Sequence, residues 1–359
     1  MRTLERIEPE TRPAAGLPAL NRLLATGGTA VADYQRLRIC ALPKSGSAMS
    51  YFELGDPAGV PLLCLHGLSV TGMYFDQFHE FFAERGVRAI APCLLGGVSA
   101  VADTKTLGCV SAEIVELLDA IGVVRFDAVG FSWGTLPLLA LLATVPARIR
   151  RAGLSGPMLP TGFFDPGDAS RMKSDVRMSL AMVRRAPALH RSLMWMVCRL
   201  PVSVLVAQFR DSNLSAIEAA ALAGEAPFAR HLARCIDECR STGSRFFTQG
   251  WRMFLDQPQY PLSAFAAPAL QADVRLYVGE FDNVHLPSFA WKIASARCGI
   301  DSSDLERRHP LNPSRDVDEV GPYRLLFRAP QCGIWMARGA GRLACILHLK
   351  EVLQHLIAH

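Results

Sequence analysis

Short apolar runs alternate with longer stretches of helical period from about residue 36 onward. Arg36–Leu42 and Ala48–Leu54 read as two strands joined by the turn Pro43-Lys44-Ser45-Gly46. Val60–Leu65 (VPLLCL) has the continuous apolar character of a strand buried on both faces. Thr71–Glu84 spaces Phe75, Phe78, Phe81 and Phe82 as the core-facing stripe of a helix. Then come a strand at Val87–Ala91 and a helix at Val110–Ile121 that stops at Gly122. A strand at Phe126–Gly130 runs straight through Ser132 into a helix at Leu136–Thr144, and a further strand follows at Ile149–Leu154. This alternation predicts a doubly wound, mostly parallel α/β sheet.

The alternation stops at Thr161. As far as Pro268 the pattern is helical, rich in Met, Arg and Ala, without a convincing strand. It resumes with a strand at Val274–Val278, a helix at Leu286–Ala296, a strand at Gly333–Ala337 and a helix at Leu347–His355. A helical block of about 100 residues far exceeds an ordinary connection. The expected organisation is therefore an N-terminal extension (1–35), an α/β core (36–160 and 269–359), and a helical cap (161–268) between its sixth and seventh strands. Such a cap would cover the carboxyl edge of the sheet, where open α/β sheets bind ligands.

Composition narrows the classes. Of 359 residues, 50% are hydrophobic and 20% charged, which excludes intrinsic disorder. The net charge is +5, and no run of five like charges suggests a nucleic-acid-binding arm. The first ten residues lack the apolar segment of a secretory leader. The longest apolar stretch, Leu136–Ala147, is too short to span a bilayer and contains Pro137 and Pro146. A cytoplasmic protein with no membrane or nucleic-acid partner is expected; self-association into a homodimer stays open. Ten scattered cysteines fit reduced thiols better than a disulfide framework. Cys235 and Cys239 are one helical turn apart but lack further ligands at metal spacing, so no metal is expected.

The strongest chemical signal is Gly130-Phe131-Ser132-Trp133-Gly134, a G-x-S-x-G between a strand and a helix. Small residues on either side allow a strained turn that lifts the serine hydroxyl clear of the backbone, and the following helix N-terminus favours developing negative charge. His66-Gly67-Leu68-Ser69 closes the strand VPLLCL; His66 reads as a loop residue bonded to backbone, not as a general base. Asp282, in Gly279-Glu280-Phe281-Asp282 after an apolar strand, is the candidate acid, with Glu280 second. The bland alternative is that Asp282 merely caps the helix beginning near Leu286. Met172, Met178, Met182, Met194, Trp195 and Met196 could face an irregular apolar ligand or form the cap's own core.

These residues make the chain resemble the α/β-hydrolase superfamily from about Ala48 to the C-terminus. The resemblance implies a carboxylic ester, thioester, lactone or similar acyl substrate, no cofactor, and a triad in the chain order Ser, acid, His. It implies Ser132 as nucleophile, Asp282 as acid, and backbone N–H groups of Leu68 and Trp133 as the oxyanion hole. One position departs. After the last strand the family carries its catalytic His, and here Gly339-Ala340-Gly341 leads to Arg342. Arginine stays protonated at neutral pH and cannot act as the base. Arg342 could bind a substrate carboxylate beside Asp282, or form a structural ion pair with it. A second departure is Pro92-Cys93-Leu94-Leu95-Gly96-Gly97-Val98-Ser99, where an apolar lead replaces the usual polar one. His285, three residues after Asp282, and His348, at the final helix, are the substitutes for the missing base; the other histidines have no motif context. The segment 283–332 is unusually long and has no assigned role. Two functions fit: an enzyme of acyl or related non-hydrolytic chemistry on a hydrophobic small molecule, with an atypical triad; or a non-catalytic ligand-binding or regulatory pseudo-hydrolase. If only the base is missing, Arg342→His should raise activity.

Overall fold

The computed structural model describes residues 35–68, 70–94, 105–201, 244–255, 260–266, 270–301, 319–320, 322–341 and 344–358, with residues 204, 233 and 304 individually. The N-terminal extension (1–34), Ser69, Leu95–Ser99, most of 202–243 with Cys235 and Cys239, most of the turn-rich stretch 301–322, and Arg342 lie outside the described residues.

Ten strands form one sheet: β1 (Leu37–Leu42), β2 (Ser47–Gly55), β3 (Val60–Leu65), β4 (Val87–Pro92), β5 (Phe126–Phe131), β6 (Ile149–Ser155), β7 (Asp273–Gly279), β8 (Glu319–Val320), β9 (Tyr323–Ala329) and β10 (Cys332–Ala337). Their order is β1-β2-β4-β3-β5-β6-β7-β10-β9-β8. The six central strands from β4 to β10 are parallel to one another, while β1 and β2 on one side and β9 and β8 on the other pair antiparallel. The mostly parallel sheet is as expected. Strands β8 and β9 are not predicted from the sequence: β8 is only two residues long, and in β9 Arg324 and Arg328 interrupt the apolar run, so that only pairing with β10 makes it a strand.

Helices cover both faces because the strand residues alternate between two apolar layers. Leu63, Ala128, Leu154, Leu276 and Ile334 face one layer, packed under α2 (Leu107–Ala120), α3 (Thr135–Thr144) and α8 (Pro287–Cys298). Cys64, Val129, Tyr277 and Trp335 face the other, with α1 (His79–Glu84), α9 (Ala344–Leu347) and α10 (Leu349–Ile357). The Phe75 stripe is correctly inward, but its first half, Gly72–Phe78, is a 3-10 turn rather than α-helix. Between β6 and β7 the described residues contain only helices and turns: α4 (Asp168–Arg171), α5 (Ser174–Arg185), α6 (Pro187–Val197) and α7 (Ser244–Leu255). Among the described residues no helix is long and apolar enough to cross a membrane, and no cluster of His, Cys, Asp and Glu could hold a metal ion. The eight described cysteines are all free thiols.

Candidate active site

Strand β5 ends at Phe131 and the chain turns directly into α3 through Ser132, whose φ is 52°. Among the described residues it is the only non-glycine with positive φ, a left-handed conformation that costs an L-residue roughly 1–3 kcal/mol. The flanking glycines are demanded by space. A Cβ on Gly130 would lie 2.6 Å from the carbonyl oxygen of Gly134, and one on Gly134 would lie 2.3 Å from that of Leu65. Thr135 fastens the turn from below: its hydroxyl donates to the Ser132 carbonyl (2.6 Å) and accepts from the Met158 N–H (2.8 Å). Beneath the elbow, the Phe131 ring packs against Tyr74 and Phe75 with centroids 5.0 and 5.8 Å away.

The loop after β7 supplies two of the remaining candidates. Asp282 Oδ1 accepts the backbone N–H groups of Val284 (2.9 Å) and His285 (2.8 Å), which curls the chain into a tight turn. That turn brings the His285 ring back over the same carboxylate. His285 Nδ1 donates to Asp282 Oδ2 at 2.7 Å, which leaves Nε2 as the acceptor for the Ser132 hydroxyl at 2.8 Å. Asp282 is 4% exposed and His285 1%. Asp282 does not cap α8, which has no side-chain cap bond at Leu286; its carboxylate folds the loop ahead of that helix and orients an imidazole. Gly156, just past β6, makes the room. Its φ is +60°, and a Cβ there would sit 3.0 Å from His285 Cγ and 2.8 Å from Cys345 Cβ. No sequence signal singled out Gly156, because its task depends on two residues distant along the chain.

The other candidates fall as follows. Leu68 and Trp133 line the same small cavity as Ser132 and His285. His66 is fully buried: Nδ1 donates to the Gly67 carbonyl (2.8 Å) and Nε2 accepts from the Leu94 N–H (3.0 Å), so it shapes the loop that carries Leu68. Burial lowers its pKa to about 4, and it stays neutral. Glu280 does not reach His285 through any described contact; its carboxylate accepts from the Gly339 N–H at 2.9 Å. His348 is placed elsewhere: it precedes α10 with Nδ1 4.0 Å from a Glu351 oxygen and its ring edge-on to Tyr323. The structure therefore joins His285, and not His348, to Ser132. His355 meets the Tyr277 hydroxyl at 2.7 Å and packs on Trp335. Arg342 lies outside the described residues.

The cavity above Ser132 measures about 210 Å³ and is walled largely by apolar side chains, among them Met158, Met194, Phe247, Trp251, Val284 and Ile346. Met194 comes from α6, Phe247 and Trp251 from α7, so the helical segment between β6 and β7 forms part of the wall. Trp133 Nε1 donates to the Gly250 carbonyl at 2.9 Å, pinning α7 to the elbow. Of the methionine cluster only Met194 reaches this cavity; Met172 is core, and Met178, Trp195 and Met196 are exposed. Phe247 and Trp251, four residues apart on one helix face, were the readable but overlooked signal. A larger hollow of about 900 Å³ borders the β1–β2 turn and α2. Its two carboxylates are already engaged, Glu113 by Lys105 and Glu116 by backbone N–H groups of Lys44 and Ser45.

No protein-family model matches the chain, and no curated protein matches it in sequence. Solved structures do. A bromoperoxidase from Bacillus anthracis superposes with a TM-score of 0.61 at 13% identity, over 90% of this chain and 98% of that one. A thermophilic esterase from Thermogutta terrifontis gives 0.57 at 16% identity, over 90% and 96%. An enol-lactonase from Burkholderia xenovorans LB400 gives 0.52 at 14% identity, over 76% and 95%. Strand order, the turn at Ser132 and these superpositions agree: the chain has the α/β-hydrolase fold.

Proposed function

We propose that the protein is a serine hydrolase acting on a small, hydrophobic carboxylic ester, thioester or lactone. The observation that carries this reading is the unbroken chain Ser132 Oγ–His285 Nε2 (2.8 Å) and His285 Nδ1–Asp282 (2.7 Å). Serine is a weak nucleophile until a base takes its proton, and a base is effective when a buried carboxylate fixes its tautomer and balances the imidazolium that forms. In this reading Ser132 Oγ attacks the acyl carbon as its proton passes to His285 Nε2. The oxyanion is met by the backbone N–H groups of Leu68 and Trp133. Collapse of the intermediate expels the alcohol, which leaves with the proton from His285, and a water deprotonated by the same nitrogen hydrolyses the acyl-enzyme.

The helical segment between β6 and β7 serves as the cap, contributing Met194, Phe247 and Trp251 to the reaction cavity. At about 210 Å³ the cavity is small for a ligand site. Short esters are therefore preferred over long acyl chains. The pseudo-hydrolase alternative drew on the absence of a histidine at position 342. A base hydrogen-bonded to Ser132 from the neighbouring loop removes that motive.

The test is fluorophosphonate labelling read by intact mass, with Ser132→Ala as control, followed by turnover of p-nitrophenyl esters of graded length. One adduct, lost in Ser132→Ala, with turnover highest for short acyl chains, is the expected outcome. A folded protein that takes no label and turns over no ester would end this reading.

A further inference from the structure

The loop carrying His285 is gripped from one short stretch of the helical segment. On α8, Ser288 and Lys292 are four residues apart and share a face. The Ser288 hydroxyl donates to Asp168 Oδ1 at 3.0 Å, and Lys292 Nζ donates to Asp168 Oδ2 and to the Phe163 carbonyl (3.0 Å), with Asp165 Oδ2 2.9 Å away. The Asp165 N–H donates to Asp168 Oδ2 at 2.8 Å, closing the carboxylate's shell. Phe164 packs on Phe289 with centroids 5.0 Å apart. On the other side of His285, the Lys173 N–H donates to the Asn283 carbonyl at 2.9 Å. Residues 163–173 therefore hold positions 283, 288, 289 and 292, and His285 lies inside that bracket.

The centre of the grip is an ion pair between two buried side chains, Lys292 at 9% exposure and Asp168 at 3%. Such pairs are poor sources of net stability, because desolvation offsets the attraction, but breaking one leaves an uncompensated buried charge that forces rearrangement. A buried pair bridging two chain segments therefore sets their register more than it stabilises them. Here the register is that of α8, whose first residue is two positions after His285.

We infer that Lys292 and Asp168 are positioning residues, which dock the start of the helical segment on α8 and thereby hold the His285 imidazole between Asp282 and Ser132. For catalysis this rests on the hydrolase reading; for the placement of His285 it does not. If it is right, seating of the cap and competence of the base are one event: a chain with residues 163–173 undocked has a misplaced base.

The experiment uses the full chain and two readouts. One is the NMR resonance of the His285 Nδ1 proton, assigned by its loss in His285→Gln, which reports the bond to Asp282 whether or not Ser132 is reactive. The other is the fluorophosphonate labelling rate. Lys292→Met is expected to shift or broaden that resonance and slow labelling about tenfold to a hundredfold, as an ångström of misplacement does. Lys292→Arg, which keeps the charge, should restore both. Ser288→Ala, which removes a single hydroxyl, serves should Lys292→Met fail to fold, and is expected to act in the same direction more weakly. An unchanged resonance and labelling rate in a folded Lys292→Met or Ser288→Ala protein would overturn the inference. Failure of the wild type to label, with the resonance still responding to Lys292→Met, would sink the hydrolase reading and leave the positioning role standing.

Discussion

The loops that follow β7 and β10 are neighbours in space and opposites in chemistry. Their strands are parallel and adjacent, with Ala337 in register with Gly279. The loops are sewn together past the sheet edge: Glu280 N–H to the Ala337 carbonyl (3.0 Å), Phe281 N–H to the Ala340 carbonyl (2.9 Å), and Gly339 N–H to the Glu280 carboxylate. A Cβ on Gly279 would meet the Gly341 carbonyl at 2.5 Å. The resemblance to α/β-hydrolases puts the acid on the first loop and the histidine on the second. In this chain the first loop bears both, Asp282 and His285, and the second leads to Arg342. The lesson is that the imidazole's place is defined by distances to a hydroxyl and a carboxylate, not by the strand it follows. A three-residue turn, closed by Asp282 Oδ1 on two backbone N–H groups, brings a ring to that place from the wrong side of the seam.

The sharpest way to break this comparison is His285→Ala. If the first loop holds the base, the Ser132 labelling rate should fall about 10⁶-fold, the scale of losing a triad base. A small loss would return attention to the second loop. Asp282→Asn comes next, with about a 10⁴-fold loss measured in the same assay. Asparagine keeps one carbonyl oxygen for the N–H groups of Val284 and His285, so the loop should survive while the imidazole loses its anionic partner. Gly156→Ala tests the space behind the ring. It should slow labelling about tenfold to a hundredfold, and its left-handed φ should lower stability by about 1–3 kcal/mol, read as a shift in the urea midpoint.

His66 sharpens the contrast by showing what a buried histidine without a carboxylate does. Burial favours its neutral form and holds its pKa at about 4, below the unfolded value of 6.5. The unfolded chain therefore takes up a proton first as pH falls. The stability present above pH 6.5 is lost progressively down to about pH 4, by at most about 3 kcal/mol from this residue. Urea midpoints across that range, compared with His66→Asn, measure it; a variant with the same pH slope as wild type would contradict the assignment. The smallest effect is expected from Arg342→His. With His285 already bonded to Ser132, a second imidazole on the neighbouring loop should bring no gain in ester turnover, and a clear gain would mean that the second loop still governs the chemistry.

Much of this was legible before any coordinates. The alternating apolar runs located every strand of the parallel sheet, because a strand buried on both faces has no freedom in its composition. Gly130, Ser132 and Gly134 marked the turn, since only glycine fits where a Cβ would strike the carbonyls of Gly134 and Leu65. Asp282 was found from its place at the end of an apolar strand. Strand β9 was not, because arginines at 324 and 328 hide it until β10 is beside it. The walls of the cavity were not legible either, since Met158, Trp251, Val284 and Ile346 come together from four separate parts of the chain.

The sequence by itself determined which side chains were available for the chemistry and which elements would carry them, because local sterics and burial constrain residue type position by position. Tertiary structure decided which histidine meets Ser132. The sequence offered both His285, three residues after Asp282, and His348, at the final helix. Only the turn at Asp282, the empty space at Gly156 and the bracket of residues 163–173 bring one of them to 2.8 Å and leave the other beside Glu351. A hydrogen bond is gained or lost over a few tenths of an ångström, and separations of that size between residues 153 positions apart are written in the packing, not in the order of the chain.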